Sequence, residues 1–185
     1  YTIGAYLSRE IRTGAIPTDT PEFDKAEKDV LDRIHHLTGV QGSQSVESFH
    51  RRLGKIMWDK CGMARNAKGL KEAVGEIREL RHEFWKDVFV PGRRDEFNPE
   101  LEKAWRVADF LELGELMCED ALQRKESCGG HFREEHQTAD GEALRDDKNF
   151  MYVAAWEWKG EDAKANLHKE NLDYEEVKVT QRSYK

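Results

Sequence analysis

Between residues 124 and 147 the chain reads RKESCGGHFREEHQTADGEALRDD, and Cys128, His131, Glu134, Glu135 and His136 are its first candidates for holding a metal. Structural zinc takes paired ligands at short fixed spacings, and a zinc-protease helix takes two histidines four apart. Here the histidines are five apart and accompany a single cysteine. That spacing suits a glycine-hinged loop with locally paired charges better than a metal centre, and a small metalloprotein using Cys128, His131 and His136 stands as the alternative. Cys128 with His131 or His136 has the residue types of a thiol nucleophile and its base, but no third residue to orient the base can be named. Gly129-Gly130 lacks the flanking glycines, lysine and preceding strand of a phosphate cradle. His35 and His36, adjacent on a helix, point apart and read as partly exposed side chains.

The remaining residues of this stretch carry charge. Arg124, Glu126, His131, Arg133, Arg145, Asp146 and Asp147 supply fork-shaped cations and carboxylates suited to two-point pairing across a loop or an interface.

Helices must position that loop. Ile3, Leu7 and Ile11 fall at four-residue steps in an opening helix, and RTGAIPTDT reads as a linker. Thr20 then caps a second helix, with Pro21 in its first turn, running to about Thr38. Ser43 or Ser45 caps a third through Trp58, whose Val46, Phe49, Leu53, Ile56 and Met57 form one apolar face. Gly62 ends that region in a left-handed conformation and Asn66 caps the fourth. In the fourth helix Leu70, Ala73, Val74, Ile77, Leu80, Phe84 and Val88 make a stripe stopped by Pro91-Gly92. Asn98 caps a fifth, from about Leu101 to Gln123, apolar on more than one face and therefore central. After residue 150 the period becomes two: Tyr152, Ala154, Trp156 and Trp158 alternate with Val153, Ala155, Glu157 and Lys159, a strand with an aromatic face. That face reads as a cover over the helices or a protein interface before it reads as a ligand platform. Gly160 begins a turn, and LDYEEVKVT, residues 172–180, is the second strand. The pattern predicts a mainly α fold: an antiparallel helical bundle of three long helices plus shorter ones, with a small C-terminal β-hairpin or irregular extension.

The 185 residues suffice for one domain or a domain plus an appendage. With 30 basic against 37 acidic side chains, net charge −7, the chain is unsuited to nucleic acid or an anionic membrane surface. No apolar run reaches the roughly 18 residues of a membrane span, so a soluble chain is expected. Cys61, Cys118 and Cys128 are far apart and odd in number, which fits a reducing cytosol and no disulfide framework. The opening YTIGAYLSREI, without Met and already in helical phase, reads as a cut from a longer chain.

RKESCGGHFREE at 124–135 followed by RDDKNF at 145–150 resembles the signature of the C-terminal domain of succinate dehydrogenase and fumarate reductase flavoprotein subunits: Arg-x-Glu-Ser-Arg-Gly-x-His-x-Arg, an insert, Arg-Asp-Asp and an aromatic. Arg124, Glu126, Ser127, Gly129, His131, Arg133, Arg145, Asp146, Asp147 and Phe150 match. FHRRLGKIMWDKCGMARNAKGLKEAV, ELGELM and the terminal RSY are similar to the family's helix–turn–cap, central helix and chain end, and YTIGAYL resembles the tail of the last helix of the FAD-binding domain. Cys128 departs by standing where the pattern has Arg, and the insert 134–144 is long.

The resemblance implies residues 1–16 as that helical tail and linker, 17–127 as the bundle, and 128–185 as the charged loop and β extension. It implies a parent oxidoreductase that interconverts succinate and fumarate with FAD and passes electrons to iron–sulfur clusters and quinone. The substrate-binding, proton-shuttling and flavin-linking residues then lie outside this chain, which would carry no catalytic residue, cofactor or metal of its own. The ten matched residues would serve docking and shape. The implied partners are the chain's own FAD-binding domain, the iron–sulfur subunit and, indirectly, a membrane anchor subunit. The implied location is cytoplasmic, peripheral to the inner face of the cytoplasmic membrane. A free-standing helical adaptor is the other alternative.

Overall fold

The computed structural model describes residues 2–10, 17–160 and 163–180. The described helices are α1 (Thr2–Glu10), α2 (Pro21–Gly39), α3 (Val46–Lys60), α4 (Ala67–Asp87), α5 (Pro99–Gln123) and the single-turn α6 (Asp147–Phe150). The strands are short: β1 (Gln44–Ser45), β2 (Ala64–Arg65), β3 (Val88–Phe89), β4 (Phe132–Arg133), β5 (Tyr152–Glu157) and β6 (Asn166–Asn171). The fold is mainly α, as expected, with a small hairpin near its end.

Caps set the helix starts. The Ser45 hydroxyl accepts the Ser48 N–H, Asn66 accepts that of Gly69, and Asn98 accepts those of both Glu100 and Leu101, satisfying donors that a helix start leaves orphaned. Asn98 also donates to the carbonyls of Pro91 and Arg93, so one side chain shapes the turn and opens the longest helix. Asn98→Ala is expected to lower unfolding free energy by about 1–2 kcal/mol, read from the urea midpoint.

The stripes then bury one another. Phe49 and Leu53 of α3, Leu70, Ile77 and Phe84 of α4, and Val107 and Leu111 of α5 are all at most 4% exposed, and each such side chain contributes about 1.5–3 kcal/mol by leaving water. Phe49 and Phe84 meet edge to face, with centroids 5.3 Å apart. Helix α5 packs against α2, α3 and α4, the central position its many-sided apolar pattern predicts. Two short parallel ladders fix directions. β1 pairs with β3, placing the start of α3 beside the end of α4, and β2 pairs with β4, placing the start of α4 beside the end of α5. Successive long helices are therefore antiparallel.

Four local expectations need correction. Thr20 occupies the cap position of α2, but its hydroxyl does not cap. Gly62 is not left-handed; an added Cβ would lie 2.6 Å from the Trp58 carbonyl oxygen, so glycine serves close approach there. Val88 is extended, because Asp87 accepts both the N–H and the hydroxyl of Ser43 and draws the chain into β3. Helix α4 thus stops before Pro91. The second strand is β6, not residues 172–180: Asn171 pairs with Tyr152 and Asn166 with Glu157. NLHKEN lacks alternation because neither of its faces enters the core, and Val177 and Val179 stay exposed. Strand β5 does turn Tyr152 and Trp156 toward α5, where the Trp156 indole donates to Asp120 at 2.7 Å. Ile3 and Leu7 of α1 are exposed, and Ile11 lies outside the described residues.

Candidate functional site

Helix α5 ends at Gln123, and the chain reverses through a two-residue turn. Cys128 and His131 exchange both backbone hydrogen bonds, at 2.8 and 3.0 Å, around Gly129 at φ +59°, where a side chain would be strained. Ser127, fully buried, accepts the Arg133 N–H at 2.8 Å and donates to its carbonyl at 3.2 Å. The hairpin is thereby tied off at both rungs.

Its return strand plugs two helix ends. Arg133, 2% exposed, donates through Nη1 to the carbonyls of Ala121 at 2.8 Å and Leu122 at 3.2 Å, which lie in the last turn of α5 and have no intrahelical partner. Glu135 accepts the Ala67 N–H at the start of α4. There the helix dipole also favours an anion. Arg133 Nε and Glu135 are joined at 3.1 Å, so one ion pair bridges the positive end of one helix and the negative end of another.

The second half of the matched signature braces the first. Arg124 donates to Glu126 at 2.7 Å and to the carbonyls of Phe150 and Tyr152 at 3.1 Å each, its guanidinium lying over both rings. Glu126, 3% exposed, also accepts the Asp146 N–H at 2.9 Å. Asp146 caps α6, and Arg145 grips Asp147 through two nitrogens while donating to the Thr180 carbonyl. Arg124, Glu126, Ser127, Gly129, His131, Arg133, Arg145, Asp146, Asp147 and Phe150 thus form one connected assembly. Glu126, Glu135 and Asp147 each have an arginine partner without any contribution from residue 128, whose cysteine is exposed.

Sequence reasoning missed Arg65 and Asn66 as members, and read Glu134 and Glu135 only as candidate metal ligands. Arg65 Nη2 donates to the Gly130 carbonyl at 3.2 Å, its own carbonyl accepts the Glu134 N–H, and Asn66 donates to Glu134 at 2.7 Å. The available signal was the Arg-Asn step before α4, read only as a cap.

Burial pushes the His131 imidazole below its ordinary range, with Arg65, Arg133 and Arg124 acting in the same direction against its bond to the Arg124 carbonyl. That carbonyl can only accept, so His131 Nε2 donates, at 2.9 Å. Burial alone would raise Glu135, but the Ala67 N–H and Arg133 outweigh it and hold the carboxyl at about 2. Both shifts are downward, so both groups stabilise the fold above their unfolded values and lose that contribution as pH falls. Two separate losses are expected in a pH series of urea midpoints. The first begins below about pH 6.5 and is absent in His131→Gln. The second, between the ordinary carboxylate range and about pH 2, is about 1 kcal/mol after screening of a side chain 40% exposed, and is absent in Glu135→Gln.

His131 Nε2 is committed to a carbonyl, and among the described residues no group of three His, Cys, Asp or Glu side chains could hold a metal. The metalloprotein alternative on Cys128, His131 and His136 finds no such group among the described residues. The Cys128 and His131 N–H groups answer each other's carbonyls.

Residues 50–184 match the family model described as fumarate reductase flavoprotein C-term. The chain belongs to this family. Members include the fumarate reductase flavoprotein subunit of Helicobacter pylori, 29% identical over 96% of this chain and 23% of that protein. The succinate dehydrogenase flavoprotein subunit of Rickettsia bellii is 26% identical over 71% of this chain and 21% of its own. The chain therefore spans under a quarter of the length of these curated relatives. A quinol–fumarate reductase solved with menaquinol molecules has the same fold, with a TM-score of 0.73 at 22% identity, over 89% of this chain and 28% of that one. The family's named members are oxidoreductase flavoprotein subunits.

Proposed function

We propose that this chain is the helical domain that packs on the FAD-binding domain of a succinate dehydrogenase or fumarate reductase flavoprotein subunit and supports its docking to the iron–sulfur subunit. The parent interconverts succinate and fumarate with FAD and passes electrons to iron–sulfur clusters and quinone. It lies on the cytoplasmic side of the membrane through an anchor subunit; no helix among the described residues is long and apolar enough to cross a membrane. The family match over residues 50–184 carries this reading. The charged assembly supports it: the matched residues are joined in one network that shapes the reversal after α5. The flavin and the substrate-binding side chains belong to the part of the subunit outside this chain.

Two experiments test it. The excised chain should be colourless and inert, while the complete subunit shows a flavin spectrum and succinate-dependent dye reduction; a yellow excised chain, or dye reduction by it, overturns the division of labour. Arg124→Ala in the complete complex should weaken co-purification of the iron–sulfur subunit. Unchanged assembly and turnover would remove the docking role.

A further inference from the structure

Two of the three cysteines, distant in sequence, lie in the core on the side of Met57. Cys61 closes α3, its N–H donating to the Met57 carbonyl at 3.0 Å, so Met57 and Cys61 sit one turn apart on the same face. Cys118 of α5 places its sulfur 3.9 Å from the Met57 sulfur, beside that same face. Cys61 is 7% exposed and Cys118 fully buried. Arg65 Nη1 lies 3.9 Å from the Cys61 sulfur, and its Nε is buried with no hydrogen-bond partner among the described residues. A guanidinium incompletely matched by acceptors is an electropositive wall, the environment that makes a thiol reactive.

We propose that Cys61 and Cys118 are a redox-modification site, converted by hydrogen peroxide to a disulfide that thiol reductants reverse. The Cys61 thiolate attacks one peroxide oxygen, the O–O bond breaks, and the departing hydroxide takes a proton to become water. The Cys118 sulfur then attacks the Cys61 sulfenic acid; the S–O bond breaks and the hydroxyl leaves as a second water with the Cys118 proton. Two thiols lose two electrons and one peroxide gains them. The ionisation needed for the first step is favoured: the Cys118 thiol, opposed by burial and aided by Arg65, holds Cys61 down at about 7, while Cys118 is pushed up and stays a thiol. Attacker and resolver are therefore distinguished by their surroundings.

The bond would tie the end of α3 to α5 and draw the Cys61 sulfur from Arg65, the residue that also holds the Gly130 carbonyl of the charged hairpin. Oxidation state is thus linked to hairpin geometry through one side chain.

The test uses the protein as its gene encodes it, in a Cys128→Ser background that removes the exposed thiol. Native protein is exposed to hydrogen peroxide, quenched, alkylated after unfolding, and digested without reduction. The expected product is a linked Cys61–Cys118 peptide, lost on adding dithiothreitol and absent in Cys61→Ser and in Cys118→Ala. Arg65→Gln should form it about tenfold more slowly. Full alkylation of both cysteines at a dose that oxidises a cysteine peptide overturns the proposal, as does Cys61 sulfinic acid with Cys118 still alkylated. An Arg65→Gln rate equal to the parent's overturns the thiolate step.

Discussion

Glu115→Ala is expected to lower unfolding free energy by about 3–5 kcal/mol, enough to leave a small domain barely folded. Glu115 is 2% exposed in the middle of α5 and receives the guanidinium of Arg81, 1% exposed on α4, and the Nε of Arg78 at 2.6 Å. Removing the carboxylate takes its Glu115 partner from the Arg81 cation, 1% exposed, in a low-dielectric interior. The loss therefore measures desolvation of what remains more than the strength of the pair. A double variant, Glu115→Leu with Arg81→Met, separates the two: it should lie within about 1 kcal/mol of the parent or above it. Urea midpoints read both, and a single variant costing under about 1 kcal/mol would mean that water reaches this pair.

The second large effect is Arg133→Ala, at about 3 kcal/mol, because charge-assisted hydrogen bonds to the Ala121 and Leu122 carbonyls vanish together, leaving the first acceptor buried and the second half-buried. Arg133→Lys keeps the charge but cannot span both carbonyls and Glu135 with one planar fork. It should recover less than half of the loss. Near-complete rescue by lysine would show that charge, not geometry, closes the end of α5.

Helices were legible because their signals are local. The stripe from Leu70 to Phe84 and the caps at Ser45, Asn66 and Asn98 each reside within a few residues. The charged stretch was legible as a unit because its residue types crowd together and resemble a known signature. What it does to the helices was not, since Glu135 acts on Ala67 and Arg133 on Ala121, partners that sequence spacing cannot announce. The buried pair Arg81–Glu115 was hidden for the same reason: each residue sits in a helix among other charged side chains, and only tertiary placement distinguishes it. Strand β6 escaped because a hydrophobic period was sought where backbone pairing and cross-strand contacts, such as Lys169 over the Tyr152 ring at 4.3 Å, do the stabilising.

The β2–β4 ladder joins Ala64 to Phe132 and Arg65 to Arg133, contacts that close a long stretch of chain for very few hydrogen bonds. Such closure is entropically costly and comes late in folding, after the α3–α4–α5 contacts have formed. The same bonds are then the first to open from the native side. The Glu134 amide, held only by the Arg65 carbonyl across this ladder, should exchange its hydrogen with solvent through a sub-global opening well below the free energy that protects α4 and α5. Each such event would unplug both helix ends at once, leaving a bundle that keeps its core while its surface at that pole is briefly rewritten.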